Sequence, residues 1–330
     1  PVGTVGGGHG PPATSSADSP GQRVTVVALL GVTASGKSAL ALEVARRRGD
    51  VELVSVDSMC VYRGMDIGTS KPSRRERAEI PHHLLDLVDA DEEFTVSQFQ
   101  QAARLALDEI AGRGRHALLV GGTGLYLRAV VDGLRFPGRF PAVKAELESE
   151  LSEGRAAVPQ LHARLAALDP QAAARMEPTN ARRVVRALEV TLGSGQPFSS
   201  FGPGLVAYPP SPVAMVGLAG PNEDVDRRIA ARFSSWMDAG FLDEVRTLAG
   251  RPLGISRTAR QALGYRELLT HVEQGAPLSA CVEEAIARTR SFARRQASWF
   301  RRDPRIIWAD GEVTPAELLD RALDVHAARA

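Results

Sequence analysis

Between Val24 and Gly220 the chain alternates between two textures. Short apolar runs rich in β-branched residues, VTVVALL (24–30), VELVSV (51–56) and HALLVGG (116–122), are each bounded by Gly, Asp or charged residues. Helically spaced apolar positions fill the segments between them. Short apolar runs alternating with helical patterns predict a parallel sheet wrapped by helices, because each crossover buries its apolar stripe on a sheet face. A fourth run, PVAMVGLAG (212–220), predicts one more strand after a long excursion.

The excursion, 137–205, is rich in Ala, Leu, Glu and Arg and reads as several short helices inserted into the α/β region. Asp169-Pro170 predicts one helix start, with Asp as the cap and Pro at the first helical position. Asn180 predicts the next, ARRVVRALEVTLGSG, which stops at Gly193 or Gly195. After residue 220 the pattern is mostly helical to the end. The expected organisation is therefore a core of 23–136 and 206–330 with a helical insertion at 137–205. The first 22 residues, mostly Gly, Pro, Ser and Thr with little to bury, read as a disordered tail. They lack the basic start and apolar centre of an export signal.

Composition narrows the class without choosing a function. The 330 residues are 44% hydrophobic and 24% charged, ordinary for a soluble chain of this length. No window approaches the eighteen or so apolar residues of a membrane span. Two cysteines without a CxxC pair argue against a disulfide scaffold or a zinc site and fit a reducing cytoplasm. Net charge is +1, yet Ile286 to Arg305 holds seven Arg against one acid, Asp303. Such a local excess attracts a polyanion while the whole chain stays near neutral.

The chemistry starts at GVTASGKS. Gly31, Gly36, Lys37 and Ser38 fit G-x-x-x-x-G-K-[ST] between a predicted strand and a predicted helix. Gly31, Val32, Thr33, Ala34, Ser35 and Gly36 would turn backbone N–H groups inward around phosphates, with the helix N-terminus behind them. Lys37 adds a point charge, and Ser38 an oxygen for Mg²⁺. The loop does not name its ligand. A GTP switch needs an Asn-Lys-x-Asp reader, and neither Asn180 nor Asn222 is followed by Lys. The strand HALLVGGTG ends in glycines rather than in the Asp of many P-loop ATPases. The acid follows the second strand instead, as Asp57, on the edge where open α/β sheets bind ligands. A small-molecule kinase stays open at this point.

The blocks GVTASGKS, DSMCVYRGMDIGTSKP, PHHLLD, LLVGGTGLYLRAVVDGL, RRVVRALEV, ALGYRE and RTRSFARRQASWFRRDPRIIW stand in this order. From about Val24 to Asp310 the chain so resembles the tRNA dimethylallyltransferases. The adenylate isopentenyltransferases share the first blocks, whereas RRVVRALEV and the Arg-rich helix match the tRNA-modifying group better. No C-terminal Cys₂His₂ finger follows, so a bacterial type is implied. The fold implied is a P-loop NTPase-like parallel sheet flanked by helices, with an inserted all-helical subdomain and a helical C-terminal region.

The reaction implied moves a dimethylallyl group from dimethylallyl diphosphate to the exocyclic amine of the adenosine 3′ to the anticodon. The loop would then hold the departing diphosphate rather than ATP, with Mg²⁺ as cofactor and Arg228 and Arg232 reaching the same anion. Asp57 is the candidate general base, and Thr123 would orient it or the adenine. Asp57 as a helix cap or a water-mediated Mg²⁺ ligand, and Thr123 as a plain turn residue, are the competing readings. Asp66 either positions that loop or is a buried structural acid.

For tRNA the resemblance implies Asp57, Ser58, Met59 and Cys60, Lys144, the run Arg182, Arg183, Val184, Val185 and Arg186, and Arg260, Gln261, Tyr265 and Arg266. The anticodon stem-loop is the expected partner, with the protein a cytoplasmic monomer that engages no membrane. The Arg residues of the last long helix suit a phosphate backbone, whereas Trp299 and Trp308 read as packing anchors. His82 and His83 read as a structural turn rather than a metal site. Rival functions are a nucleoside or small-metabolite kinase, an adenylate isopentenyltransferase and a non-enzymatic RNA-binding protein.

Overall fold

The computed structural model describes residues 24–202, 204–205, 207–309 and 313–328. The predicted tail, 1–22, lies outside them. The first half of the chain runs β1 (Val26–Gly31), α1 (Lys37–Arg48), β2 (Val51–Val56), α2 (Arg74–Glu79), β3 (His82–His83), α3 (Val96–Gly112), β4 (His116–Gly121) and α4 (Gly124–Val131). Four helices come next, α5 (Pro141–Ser152), α6 (Val158–Leu168), α7 (Pro170–Ala173) and α8 (Ala181–Ser194). The chain returns through β5 (Ala214–Leu218), α9 (Asn222–Asp238), α10 (Phe241–Ala249), α11 (Tyr265–Gln274), α12 (Leu278–Phe300), β6 (Ile306–Trp308) and α13 (Pro315–Ala328).

The strands form one sheet in the order β3-β2-β4-β1-β5-β6, every neighbouring pair parallel. The period-two alternation of side chains splits each strand between two cores. Ala28, Leu30, Val54, Val56, Ala117 and Leu119 face α3, α4 and the helices α9 to α12. Val27, Leu29, Val51, Leu53 and Leu118 face α1 and Leu319 and Leu323 of α13. Burial on both faces explains why the strands read as continuous apolar runs.

Two strands depart from expectation. His82 and His83, read as a turn, pair with Leu53 and Val54 as β3. His82 Nδ1 lies 2.7 Å from the Ile80 carbonyl and His83 Nε2 lies 2.7 Å from Glu52. No group of three or more His, Cys, Asp or Glu is gathered as for a metal ion among the described residues. The segment after 220 also contains β6, an edge strand too short to carry a pattern.

The insertion helices build a core of their own from Leu147, Leu161, Leu165, Ala172, Ala173, Val184, Val185, Ala187 and Leu188. Asp169 caps α7 by accepting from the Ala172 amide at 3.0 Å, and Asn180 caps α8 by accepting from the Arg183 amide at 3.2 Å. Helix α8 ends at Gly195 in the left-handed conformation, φ 70°. The returning chain is pinned to the main core. Buried Arg128 donates to the carbonyls of Leu205 and Ala207, Arg305 donates to that of Pro209, and both guanidiniums lie over the Tyr208 ring. Asp132, bonded to both arginines, and Asp303, bonded to Arg305, balance them. No helix among the described residues is long and apolar enough to cross a membrane.

Candidate active site

The sheet register assembles the candidate residues. Leu30 and Val56 both sit opposite Gly121, and Gly31 sits opposite Leu218. Four strands therefore end level, and the segments leaving them emerge on a single edge: the phosphate loop after β1, Asp57 after β2, Gly122–Thr123 after β4.

The loop has the strained geometry of an anion cradle. Gly36 stands at φ 93° and Ala34 at φ 60°, the left-handed region that a non-glycine residue rarely enters. A Cβ on Gly31 would lie 2.6 Å from Ser35 Oγ, so the first glycine is required by close approach. Ser35 Oγ is itself buried without a hydrogen-bond partner among the described residues. Lys37 Nζ donates to the Val32 carbonyl at 3.2 Å. Burial pushes its pKa down to about 8, opposed by the charge of Asp57 and assisted by Arg232.

The two arginines assigned to this anion part company. Arg232 donates to Thr33 Oγ1 at 2.6 Å and lies 4.8 Å over the Trp236 ring. Its burial lowers its pKa to about 10, with Asp57 opposing. Arg228 is exposed and donates to the Asp224 carbonyl of its own helix at 3.3 Å. One turn of helix separates a residue at the loop from one turned back on α9.

Asp57 Oδ1 accepts from the Met59 amide at 2.7 Å and from the Cys60 amide at 3.4 Å. It therefore caps its own turn with one oxygen, while Oδ2 has no hydrogen-bond partner among the described residues. Thr123 caps α4 through its backbone, and its Oγ1 accepts from the Ser58 amide at 3.4 Å. That hydroxyl sits beside the Asp57 turn with its own proton uncommitted. The hydroxyl of Ser38, exposed in the first turn of α1, and the carboxylate of Asp57 are hard oxygen donors of the kind Mg²⁺ takes while keeping most of its waters. The donor set fits that ion.

Helix α12 closes the edge from above. Gln296, buried, accepts from the Thr33 amide and donates to the Gly122 carbonyl, both at 2.8 Å. A Cβ on Gly122 would come within 2.4 Å of Gln296 Nε2, and one on Gly124 within 2.4 Å of the Trp299 ring. Gly122 and Gly124 let α12 lie on the segment, whereas a Cβ on Gly121 would lie 2.0 Å from the Val56 carbonyl oxygen of β2. Trp299 and Trp308 are packing residues, the latter against Gly217.

A model of the IPP transferase family matches residues 60–303. The chain belongs to that family. It is 48% identical over 286 residues to the tRNA dimethylallyltransferase of Salinispora arenicola, covering 87% of this chain and 82% of the relative. The enzyme of the same name from a Nocardioides species is 46% identical over 308 residues, covering 93% and 97%. Among solved structures, the full-length tRNA isopentenylpyrophosphate transferase of Bacillus halodurans superposes with a TM-score of 0.64 at 33% identity, covering 92% and 98%.

The residues assigned to RNA in this IPP transferase fall into two sets. Arg182, Arg183, Gln261 and Arg266 are exposed, and Lys144 is half-buried beside Glu148. Five others have side chains that are buried or bonded internally. Val184, Val185 and Tyr265 are buried, the valines in the insertion core, and their side chains offer nothing to a partner. Cys60 is also buried, its thiol directed at the Thr69 carbonyl and its pKa raised by burial. Arg186 is turned inward, bridging buried Glu189 at 2.8 Å and the carbonyls of Pro137 and Gly138.

Tyr265 stacks edge-on to Phe241 and donates to Glu244 Oε1 at 2.5 Å. Burial and the neighbouring carboxylate raise its pKa. Glu244 is a residue that sequence reasoning misses here. Its other oxygen accepts from the amides of Asp66 and Ile67 at 2.9 and 2.8 Å, so it clamps the loop after Asp57 onto α10. Asp66 is exposed and ion-paired to Lys71, which excludes the reading as a buried acid.

Carboxylates also occupy several other arginines. Arg260 pairs with Glu273, Arg288 with Glu267 and Glu284, and Arg290 and Arg294 with Asp226. Arg295, Arg301 and Arg302 are exposed and carry no ion pair among the described residues.

Proposed function

We propose that this enzyme transfers a dimethylallyl group from dimethylallyl diphosphate to the N6 amine of the adenosine 3′ to the anticodon of tRNA, releasing diphosphate. One observation carries the reading. A phosphate loop flanked by two partly uncompensated cations, Lys37 and Arg232, shares a sheet edge with Asp57 and Thr123. Both cations have pKa values lowered mainly by burial, against the charge of Asp57, and a bound diphosphate would favour their charged forms.

The steps follow from that arrangement. The N6–C1 bond forms as the C1–O bond to diphosphate breaks. The electron pair leaves with the diphosphate, where inward amides, Lys37 and Arg232 stabilise it as it grows. Asp57 accepts the N6 proton through Oδ2 while Oδ1 keeps the turn in place. Thr123, tied to the same turn, orients the carboxylate or the amine. Mg²⁺, held by Ser38, would neutralise part of the diphosphate charge. The target base has to leave its stack to reach this edge. Exposed Arg182, Arg183, Arg266, Arg295, Arg301 and Arg302 are the candidates for phosphate contacts.

The test is a labelling experiment with radiolabelled dimethylallyl diphosphate, Mg²⁺ and either unmodified tRNA or AMP. Label is expected in tRNA. Label in AMP instead would make the chain an adenylate isopentenyltransferase, and ADP made from ATP without RNA would make it a kinase.

A further inference from the structure

Thr33 is held from two directions. Its hydroxyl accepts from Arg232 of α9 at 2.6 Å, and its amide donates to Gln296 of α12 at 2.8 Å. The other end of the Gln296 amide donates to the Gly122 carbonyl, next to Thr123. A primary amide has one acceptor and two donors, and this one is matched end for end: a C=O faces an N–H, and an NH₂ faces a C=O. Rotating the amide by half a turn would set N–H against N–H and oxygen against oxygen. The side chain is 7% exposed, so neither bond has water as a ready substitute.

We infer that Gln296 is a positioning residue that fixes the spacing between the diphosphate cradle and the acceptor side of the site. The inference rests on the proposed transfer reaction and assigns a role within it. No other side chain among the described residues hydrogen-bonds both to the phosphate loop and to the exit of β4. In-line transfer between two separately bound substrates depends steeply on their separation, and a displacement of about 1 Å costs on the order of 10²-fold in rate. Gln296 is also not replaceable by packing alone. A Cβ on Gly122 would lie 2.4 Å from Nε2, so the backbone approaches this amide closely.

The experiment compares wild type with Gln296→Leu, which keeps the volume and removes both bonds, and with Gln296→Glu. Single-turnover transfer to unmodified tRNA, diphosphate and tRNA affinities, and melting temperature are measured on each. Gln296→Leu is expected to lose on the order of 10²-fold in the transfer rate per active site, with both affinities within about threefold. Gln296→Glu should lose as much at about pH 8 and recover relative to wild type towards about pH 6. A protonated carboxyl accepts from Thr33 and donates to Gly122 again, whereas a carboxylate faces the Gly122 oxygen with no proton to share. A Gln296→Leu rate per site within about threefold of wild type would overturn the inference. So would a loss that appears only as fewer active molecules. If wild type itself labels no tRNA, the transfer reading fails first and this assignment falls with it.

Discussion

The sheet edge and the arginine-bearing helices are both legible as short motifs, and the structure treats them differently. At the edge, residue type and place are locked together by the backbone. The loop between β1 and α1 enters the left-handed region at Ala34 and Gly36, and level strand ends deliver Asp57 and Thr123 beside it. On and next to α8, α11 and α12 the same residue, arginine, has roles set by whichever carboxylate packs opposite. Glu189, Glu273, Glu267 and Asp226 occupy Arg186, Arg260, Arg288, Arg290 and Arg294, whereas Arg182, Arg183, Arg266, Arg295, Arg301 and Arg302 stay exposed. Backbone geometry is local in sequence; the neutralisation of a guanidinium is not.

The sharpest test of that contrast is at the edge. Asp57→Asn is expected to lower the transfer rate about 10²–10⁴-fold while tRNA affinity stays within about threefold, checked by single-turnover kinetics beside a binding titration. Retained turnover would strip Asp57 of the base role and leave it the turn cap alone.

A second expectation comes from Lys37. Its pKa of about 8 means that the free site loses this positive charge as pH rises through that value. The contribution of Lys37 to diphosphate affinity should be flat below about pH 7 and fall up to about tenfold per unit above about pH 8. Binding near pH 8 should draw up to about half a proton from solution, measurable by calorimetry in buffers of differing ionisation heat. Affinity that is level to about pH 10 would remove the depressed lysine.

On the helices the effects are smaller and divide by exposure. Arg182→Glu with Arg183→Glu should weaken tRNA binding and reduce its salt dependence by about 0.7 for each phosphate no longer neutralised. Arg186→Ala should instead lower the melting temperature, because it leaves Glu189 buried with one partner fewer. The contrast breaks if Arg186→Ala changes RNA affinity as much as the exposed pair does. Tyr265→Phe, the mildest change, should cost about 1–2 kcal/mol of stability in denaturant titration by removing the bond to Glu244, with tRNA affinity unmoved.

Legibility in the sequence divides along the same line. Strands β1, β2, β4 and β5 announce themselves by apolar runs buried on both faces, and Asp169, Asn180 and Gly195 mark helix ends by local capping chemistry. Strands β3 and β6 escape notice, being two and three residues long at the sheet edges. Gln296 has no local signal, since its partners lie 263 and 174 residues away. The one hint is the glycine at 122, which marks a close approach without naming what approaches. Tyr265 reads as a binding residue because a polar-aromatic cluster is equally the signature of a hydrogen-bonded core anchor.

Because α12 supplies the lid of an edge whose motif lies near the other end of the chain, the phosphate-loop signature is not a portable module. A fragment spanning 24–220 would keep every residue of GVTASGKS and GGTG, yet the Thr33 amide would lose its acceptor and Gly122 and Gly124 would face solvent. Grafts or truncations that preserve the consensus while discarding the distal helix should therefore carry the lettering of the site without its dimensions.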